Sequence, residues 1–294
     1  MGRGRIALVK PHLRAAAVQM RFARTIEGNL AAIGAALLAA SRRGADAVLF
    51  PECAVTGYAA DFAALDPADV RRALRVVSSI VRRCGTNALV GCPVFRGRRL
   101  HNALVVFDRD GEIVHCYAKC HLTEADRRHF APGDAVALFE IDGVPATAIL
   151  CHERRYPELA RLGVMAGARI VFHPNAGMDT RAVSAAKRGG RDGLDARAFE
   201  NAVYYVFANS VGPQGRGRWS AGDSKIVAPD RSVLAFAGNE NPGIVAADLD
   251  LSRATRSYAE EGMARPAFLS ASWRRMVREV KRRAAGWAGR FDLP

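Results

Sequence analysis

Residues 146–172 read ATAILCHERRYPELARLGVMAGARIVF, and three signals follow one another in that run. Ala146–Leu150 is short and almost wholly apolar, as a strand buried on both faces should be. A sharp polar turn follows, from Cys151 to Arg155. Pro157 then opens a helix over 157–166 and Gly167 closes it, because proline suits the first helical turn and glycine the stop after the last. Arg169–Phe172 supplies a second strand. Strand, turn, helix and strand make one unit of a layered α/β fold.

Outward from this unit the same alternation continues. Toward the N-terminus, Leu13–Met20 reads as a strand. Asn29–Arg43 reads as a helix with Leu30, Ile33, Leu37 and Leu38 on one face and Gly44 as its stop. Ala47–Phe50 is a buried strand and Asp69–Cys84 a second helix. Ala88–Gly91, Ala103–Phe107 and Ile113–His121 are three more strands, the last two joined by an Asp-Gly turn at Asp108–Gly111. Beyond the central unit come a helix at Gly193–Ala202, a strand at Val203–Ala208 and a hairpin, Ser224–Ala228 with Ser232–Ala235, across Pro229–Arg231. The expectation is an α/β fold of mixed sheets. No repeat or linker divides the chain, so 1–294 reads as one domain. Its core is about 13–250, with 251–294 a basic C-terminal tail whose helix, Arg274–Ala285, is surface or partner-facing.

Half of the 294 residues are apolar and 24% are charged, which fits a globular core and excludes a disordered or collagen-like chain. Lys and Arg outnumber Asp and Glu by 43 to 29, a net charge of +14, and such a field favours anionic partners. The local excesses lie at Arg181, Lys187, Arg188 and Arg191, at Arg216–Arg218, and along the tail from Arg274 to Arg290. Without an aromatic-interleaved basic motif or zinc-finger spacing, a solvated surface is the favoured reading over a nucleic-acid face. The longest apolar run, Leu30–Ala40, is broken by Gly34 and too short to span a bilayer, and no signal-peptide run follows the start. A cytoplasmic protein away from membranes is expected, its six cysteines, with no CxxC pair, reduced.

Three chemically useful residues stand where apolar runs stop. Glu52 follows Val48–Pro51, Cys151 follows Ala148–Leu150, and Lys119 sits on the strand that contains Tyr117. Ligands in open α/β sheets bind beyond the carboxyl ends of strands, so these residues are placed to meet one. Together they would form a covalent-catalysis set. The carboxylate takes the thiol proton, the ammonium and the nearby helix N-terminus favour thiolate, and the ammonium also stabilises an oxyanion. Taken alone, each residue is better read as a structural buried thiol or a solvated strand end. His115, Cys116, Cys120 and His121 offer metal-binding groups in seven residues. On a strand, however, the cysteines face one way and the histidines the other, so no metal site is expected.

These segments resemble the nitrilase superfamily of carbon–nitrogen hydrolases, in order, from about Ala15 to Asp250. Ala17–Met20 with Asn29-Leu30 is similar to its opening strand and helix. Phe50-Pro-Glu52 through Gly57-Tyr58 resembles the catalytic-glutamate segment, and Tyr117–Leu122 the lysine motif. Cys151–Glu158 resembles the nucleophile motif, and Arg197–Asn201 with Ala208-Asn209 a helix–strand signature. The resemblance implies a four-layer α-β-β-α sandwich of two mixed sheets and a cysteine hydrolase of non-peptide C–N bonds. It gives Cys151 as nucleophile, Glu52 as general base and Lys119 as oxyanion donor, with no cofactor and no metal. Where many relatives carry a second glutamate this chain has Asp126, with Glu124 as a possible substitute. Tyr58, Arg154, Arg155, His173 and Asn175 are expected at the substrate, His173 being equally readable as a satisfied buried histidine. His152-Glu153 after the cysteine favours amidases over nitrilases. Arg154-Arg155 resembles the pair that N-carbamoyl amino acid hydrolases use on a carboxylate, and serves equally well as a turn brace. The expected substrate is thus a small carboxamide or N-carbamoyl compound and the expected assembly a homo-oligomer. The alternatives are a nitrilase, or a basic nucleic-acid-binding or adaptor protein on the same scaffold.

Overall fold

The chain runs β1 (His12–Gln19), α1 (Ile26–Arg42), β2 (Ala47–Leu49), α2 (Pro67–Cys84), β3 (Asn87–Arg96), β4 (Arg99–Phe107), β5 (Ile113–Ala118), β6 (Phe139–Ile141) and β7 (Val144–Ala148). It continues through α3 (Pro157–Met165), β8 (Ile170–Asn175), α4 (Arg181–Ala186), α5 (Leu194–Asn201), β9 (Tyr204–Asn209), β10 (Val211–Gly215) and β11 (Arg218–Ala221). It ends with β12 (Lys225–Val227), β13 (Val233–Phe236), β14 (Gly243–Asp250), α6 (Ser257–Ala264) and α7 (Ala267–Ala285). The structure, a computed structural model, describes residues 10–58, 61–186, 193–215 and 217–294. Lys187, Arg188, Arg191 and Arg216 of the basic segments lie outside the described residues.

Two six-stranded mixed sheets, ordered β14-β1-β2-β3-β4-β5 and β13-β12-β9-β8-β7-β6, face each other. Strand alternation sorts β1 between two cores: Leu13, Ala15 and Ala17 point at the opposite sheet, Ala16 and Val18 at the helices. Between the sheets Leu49, Leu104 and Val106 meet Phe139, Leu150, Phe172 and Val206. Outside the first sheet, Ile33 and Leu37 of α1 and Leu74 and Val77 of α2 cover Val48, Phe50, Val90 and Val105. Outside the second, Leu159 and Val164 of α3, Leu194 of α5, and Val277 and Val280 of α7 cover Val171, Tyr205 and Phe207. Each fully buried large aliphatic is worth about 1.5–3 kcal/mol. The four layers are those of the expected α-β-β-α sandwich.

Local chemistry explains the element ends. The Thr25 hydroxyl accepts from the Gly28 N–H, so α1 starts at Ile26, earlier than the apolar pattern alone suggests. Asp66 caps α2 ahead of Pro67, and Gly85 at φ 60° ends it. β5 stops at Ala118, three residues short of the predicted strand. The Cys120 and His121 N–H groups donate to the Glu153 carboxylate instead of to a neighbouring strand. Lys119 is therefore the last residue still bonded to β4, its N–H donating to the Asn102 carbonyl at 2.8 Å, and the chain turns away after it.

The C-terminal helix does not stand away from the domain. Val277, Val280 and Ala284 of α7 are buried in the layer formed with α3, while Arg274, Arg275, Arg278, Lys281 and Arg282 face water. After α7 the chain crosses to the other layer. There Trp287 leans on His115, Phe291 packs edge-on to His101, and the Asp292 N–H donates to the Phe95 carbonyl at 2.8 Å. Among the described residues no helix is long and apolar enough to cross a membrane.

Candidate active site

Glu52, Lys119 and Cys151 follow the C-terminal ends of β2, β5 and β7. The turn carrying Glu52 lies flat on β3 because residue 91 is glycine. A Cβ there would stand 2.2 Å from the Pro51 carbonyl and 2.6 Å from the Cys53 nitrogen. Cys151 sits in the left-handed region at φ 44°, a strained conformation for a residue with a side chain, at the head of a short 3-10 turn.

The charges of the site are shut away from water. Lys119 Nζ donates to Glu52 Oε1 at 2.7 Å and to Asp126 Oδ2 at 2.9 Å, and all three side chains are fully buried. Asn102 Nδ2 donates to the same Glu52 oxygen at 2.7 Å, leaving Glu52 Oε2 without a partner among the described residues. Burial disfavours the Lys119 ammonium, but Glu52, Cys151 and Asp126 together hold it well above the ordinary lysine value. Burial likewise opposes ionisation of Asp126, yet Lys119, Tyr58 and the Thr123 N–H keep it below the usual carboxylate range. Asp126 rather than Glu124 thus reaches the lysine. Glu124 lies on an exposed turn two residues earlier, away from the buried pair.

Cys151 departs from the thiolate expected of it. Burial and the Glu52 carboxylate push its thiol up to about 12, against the opposing pull of Lys119, Arg154 and a backbone hydrogen bond from Ala176. Burial at this position thus favours the neutral thiol over the thiolate.

Cys151 opens into a cavity of about 700 Å³ bordered by Tyr58, Phe62, Phe130, His152, Arg154 and Asn175. Tyr58 lines this space, and its hydroxyl donates to Asp126. Asn175 is fixed by its Nδ2 donating to Asn209 Oδ1 at 2.9 Å. Arg154 and Arg155 border the cavity with no carboxylate in ion-pair range among the described residues, and Arg128 and Arg218 join them at its rim. His173 does not reach the cavity. It is wholly buried, its Nδ1 paired with the Tyr205 hydroxyl at 2.7 Å and its Nε2 with the Cys151 carbonyl at 3.1 Å, so it braces the cysteine from below. A larger cleft of about 810 Å³, beside Trp287 and Lys281 at the β5–β6 edge, holds none of these residues. Of the His/Cys cluster, Cys116 is buried against the helices, His115 stacks on Phe139 and His121 stacks on Tyr156.

A model of the carbon–nitrogen hydrolase family matches residues 14–258. The chain belongs to the carbon–nitrogen hydrolase family. It is 30% identical over 217 residues to the 2-oxoglutaramate amidase of Bacillus subtilis, covering 70% of this chain and 79% of that protein. It is 28% identical over 257 residues to an omega-amidase of Bos taurus, covering 82% and 89%. The amidase of Nesterenkonia sp. AN1, solved as a variant in complex with acrylamide, superposes with a TM-score of 0.77 at 26% identity, over 91% of this chain and 99% of that one. Another structure of that amidase shows acrylamide added at its active site cysteine. This carbon–nitrogen hydrolase is accordingly of amidase type, an enzyme for C–N bonds outside peptides.

Two residues that shape the site were passed over in the sequence. Asn102 lies in β4 between His101 and Ala103, ahead of the apolar run Ala103–Phe107, and a polar residue at a buried strand position is itself the signal. Glu153 was read only as a marker of the amidase branch.

Proposed function

We propose that this carbon–nitrogen hydrolase is an amidase that releases ammonia from a small carboxamide bearing a carboxylate, through a thioester on Cys151. The observation that carries the reading is the water-excluded Lys119 ammonium, clasped by Glu52 and Asp126 and electrostatically coupled to Cys151. The sulfur attacks the amide carbon while Glu52 takes its proton. The one Lys119 N–H taken by neither Glu52 nor Asp126 serves the oxygen that gains charge, a contribution of about 3–4 kcal/mol for such a donor. Glu52 passes the proton to the nitrogen, the C–N bond breaks and ammonia leaves. Water, giving a proton to Glu52, then attacks the thioester carbonyl. The C–S bond breaks, the acid departs and the proton returns to sulfur.

The rim supports an acidic substrate. Arg154 and Arg155, with Arg128 and Arg218, offer guanidinium forks to a carboxylate at the far end of the amide. The similarity to a 2-oxoglutaramate amidase fits the same reading. An N-carbamoyl amino acid presents both groups too, and Arg154-Arg155 is the observation that favours it as the second reading. Ammonia release from carboxamides, N-carbamoyl amino acids and nitriles, with and without a carboxylate, tests the proposal. Wild type should act on acid-bearing amides, Cys151→Ala should be silent but folded, and Arg154→Ala should raise KM for those substrates alone. Turnover by a folded Cys151→Ala protein sinks the mechanism, and turnover confined to nitriles makes the enzyme a nitrilase.

A further inference from the structure

Two residues past Cys151 stands a carboxylate that no step of the reaction uses. Glu153 is wholly buried and has no cation within ion-pair range among the described residues. Its oxygens accept instead from the Leu150 N–H at 2.7 Å, the Cys120 N–H at 2.6 Å, the His121 N–H at 3.1 Å and the Tyr117 hydroxyl at 2.9 Å. The three backbone donors come from two turns, and the Tyr117 hydroxyl from the end of β5. Leu150 immediately precedes Cys151, while Cys120 and His121 immediately follow Lys119.

A buried carboxylate with no cation is costly, and burial pushes Glu153 up despite its four donors. Its presence there calls for a task that a neutral side chain cannot perform. Only a carboxylate offers several lone pairs and no hydrogen to four converging donors, whereas the amide of a glutamine would turn N–H against N–H. We propose that Glu153 is a positioning residue, a clamp that ties the Cys151 turn to the Lys119 turn and so sets how the sulfur faces the ammonium. The same seam is held a second time by the His121 ring on Tyr156, with centroids 3.6 Å apart and planes at 4°. Catalytic groups displaced by about an ångström lose orders of magnitude in rate, so a clamp between the turns acts on turnover more than on binding.

The inference rests on Cys151 as nucleophile and Lys119 as its partner. The test pairs Glu153→Gln with Tyr117→Phe, which removes one donor and leaves the three backbone donors in place. The readouts are kcat and KM on the best amide of the panel, and the pH profile of Cys151 alkylation by iodoacetamide, resolved by mass spectrometry. In folded Glu153→Gln, kcat should fall by about tenfold or more with KM within about twofold, and the alkylation midpoint should leave its wild-type position. Tyr117→Phe should move both readouts the same way and less far, and it decides the matter if Glu153→Gln does not fold. Unchanged kcat with an unchanged alkylation profile overturns the proposal. Loss of the nucleophile reading would show separately, as ammonia release by Cys151→Ala.

Discussion

Replacing Asp126 by asparagine removes one negative charge from the buried cluster and almost no volume. In the wild type Oδ2 accepts from Lys119 Nζ at 2.9 Å and from the Thr123 N–H at 3.0 Å, while Oδ1 accepts from Tyr58. The asparagine oxygen can take the first two donors, and Tyr58 can turn its hydroxyl to accept from the new amide. What disappears is the charge that helps to hold a buried ammonium. Removing one partner of a buried pair costs about 3–5 kcal/mol, and since Lys119 keeps Glu52 the lower end, about 3 kcal/mol, applies. At about 2–3 °C per kcal/mol for a chain of this size, Tm should fall by roughly 6–9 °C. The pH dependence fixes the cause. Because Lys119 and Tyr58 outweigh burial and hold Asp126 below its unfolded value, its contribution is full above that value and is lost as pH falls through the folded one. The gap in Tm between wild type and variant should stay level from about pH 8 to 5 and close below about pH 4. Thermal melts across that range, with exposed Glu124→Gln as a control that melts like wild type, make the measurement. A gap under about 1 °C at neutral pH, or one that persists unchanged into acid, would refute the assignment of Asp126 as a charged partner of Lys119.

Gly91→Ala would drive a Cβ into the Pro51 carbonyl and the Cys53 nitrogen, so it should cost about 3 kcal/mol and displace Glu52, lowering both Tm and kcat. Glu52→Gln should abolish ammonia release and yet lower the Cys151 titration midpoint from about 12, because the carboxylate that helps to push the thiol up is gone. Thiolate absorbance against pH checks the sign; a midpoint that rises would contradict it.

Much of the frame was legible because it is written locally. The β7–α3–β8 unit needs only an apolar run, a proline, a glycine and another run, and the strand ends on either side displayed Glu52 and Cys151. What escaped depends on contacts distant in sequence. β14 pairs with β1 across more than two hundred residues, and its half-exposed sequence carries no strong alternation. In sequence Cys120 and His121 look strand-like and place Lys119 inside a strand; their N–H groups are diverted by a carboxylate some thirty residues on. His173 was expected at the substrate because it ends a strand beside the nucleophile, and only the positions of Tyr205 and the Cys151 carbonyl show both ring nitrogens engaged. The choice of Asp126 over Glu124 likewise follows from which carboxylate the turn aims inward.

The antiparallel register of β1 on β14, from His12 opposite Asp250 to Gln19 opposite Gly243, also has a kinetic meaning. During translation residues 12–19 emerge ahead of β14, and the strand that covers their free edge is made more than two hundred residues later. At about 5–20 residues per second that interval is roughly 10–45 s, spent with an open ladder of N–H and C=O groups. The middle of β1 is Ala15-Ala16-Ala17, a run small enough to be a poor seed for another chain. A circular permutant that places β14 directly before β1 should fold faster than the natural order, since it turns the most distant strand pairing among the described residues into a local one.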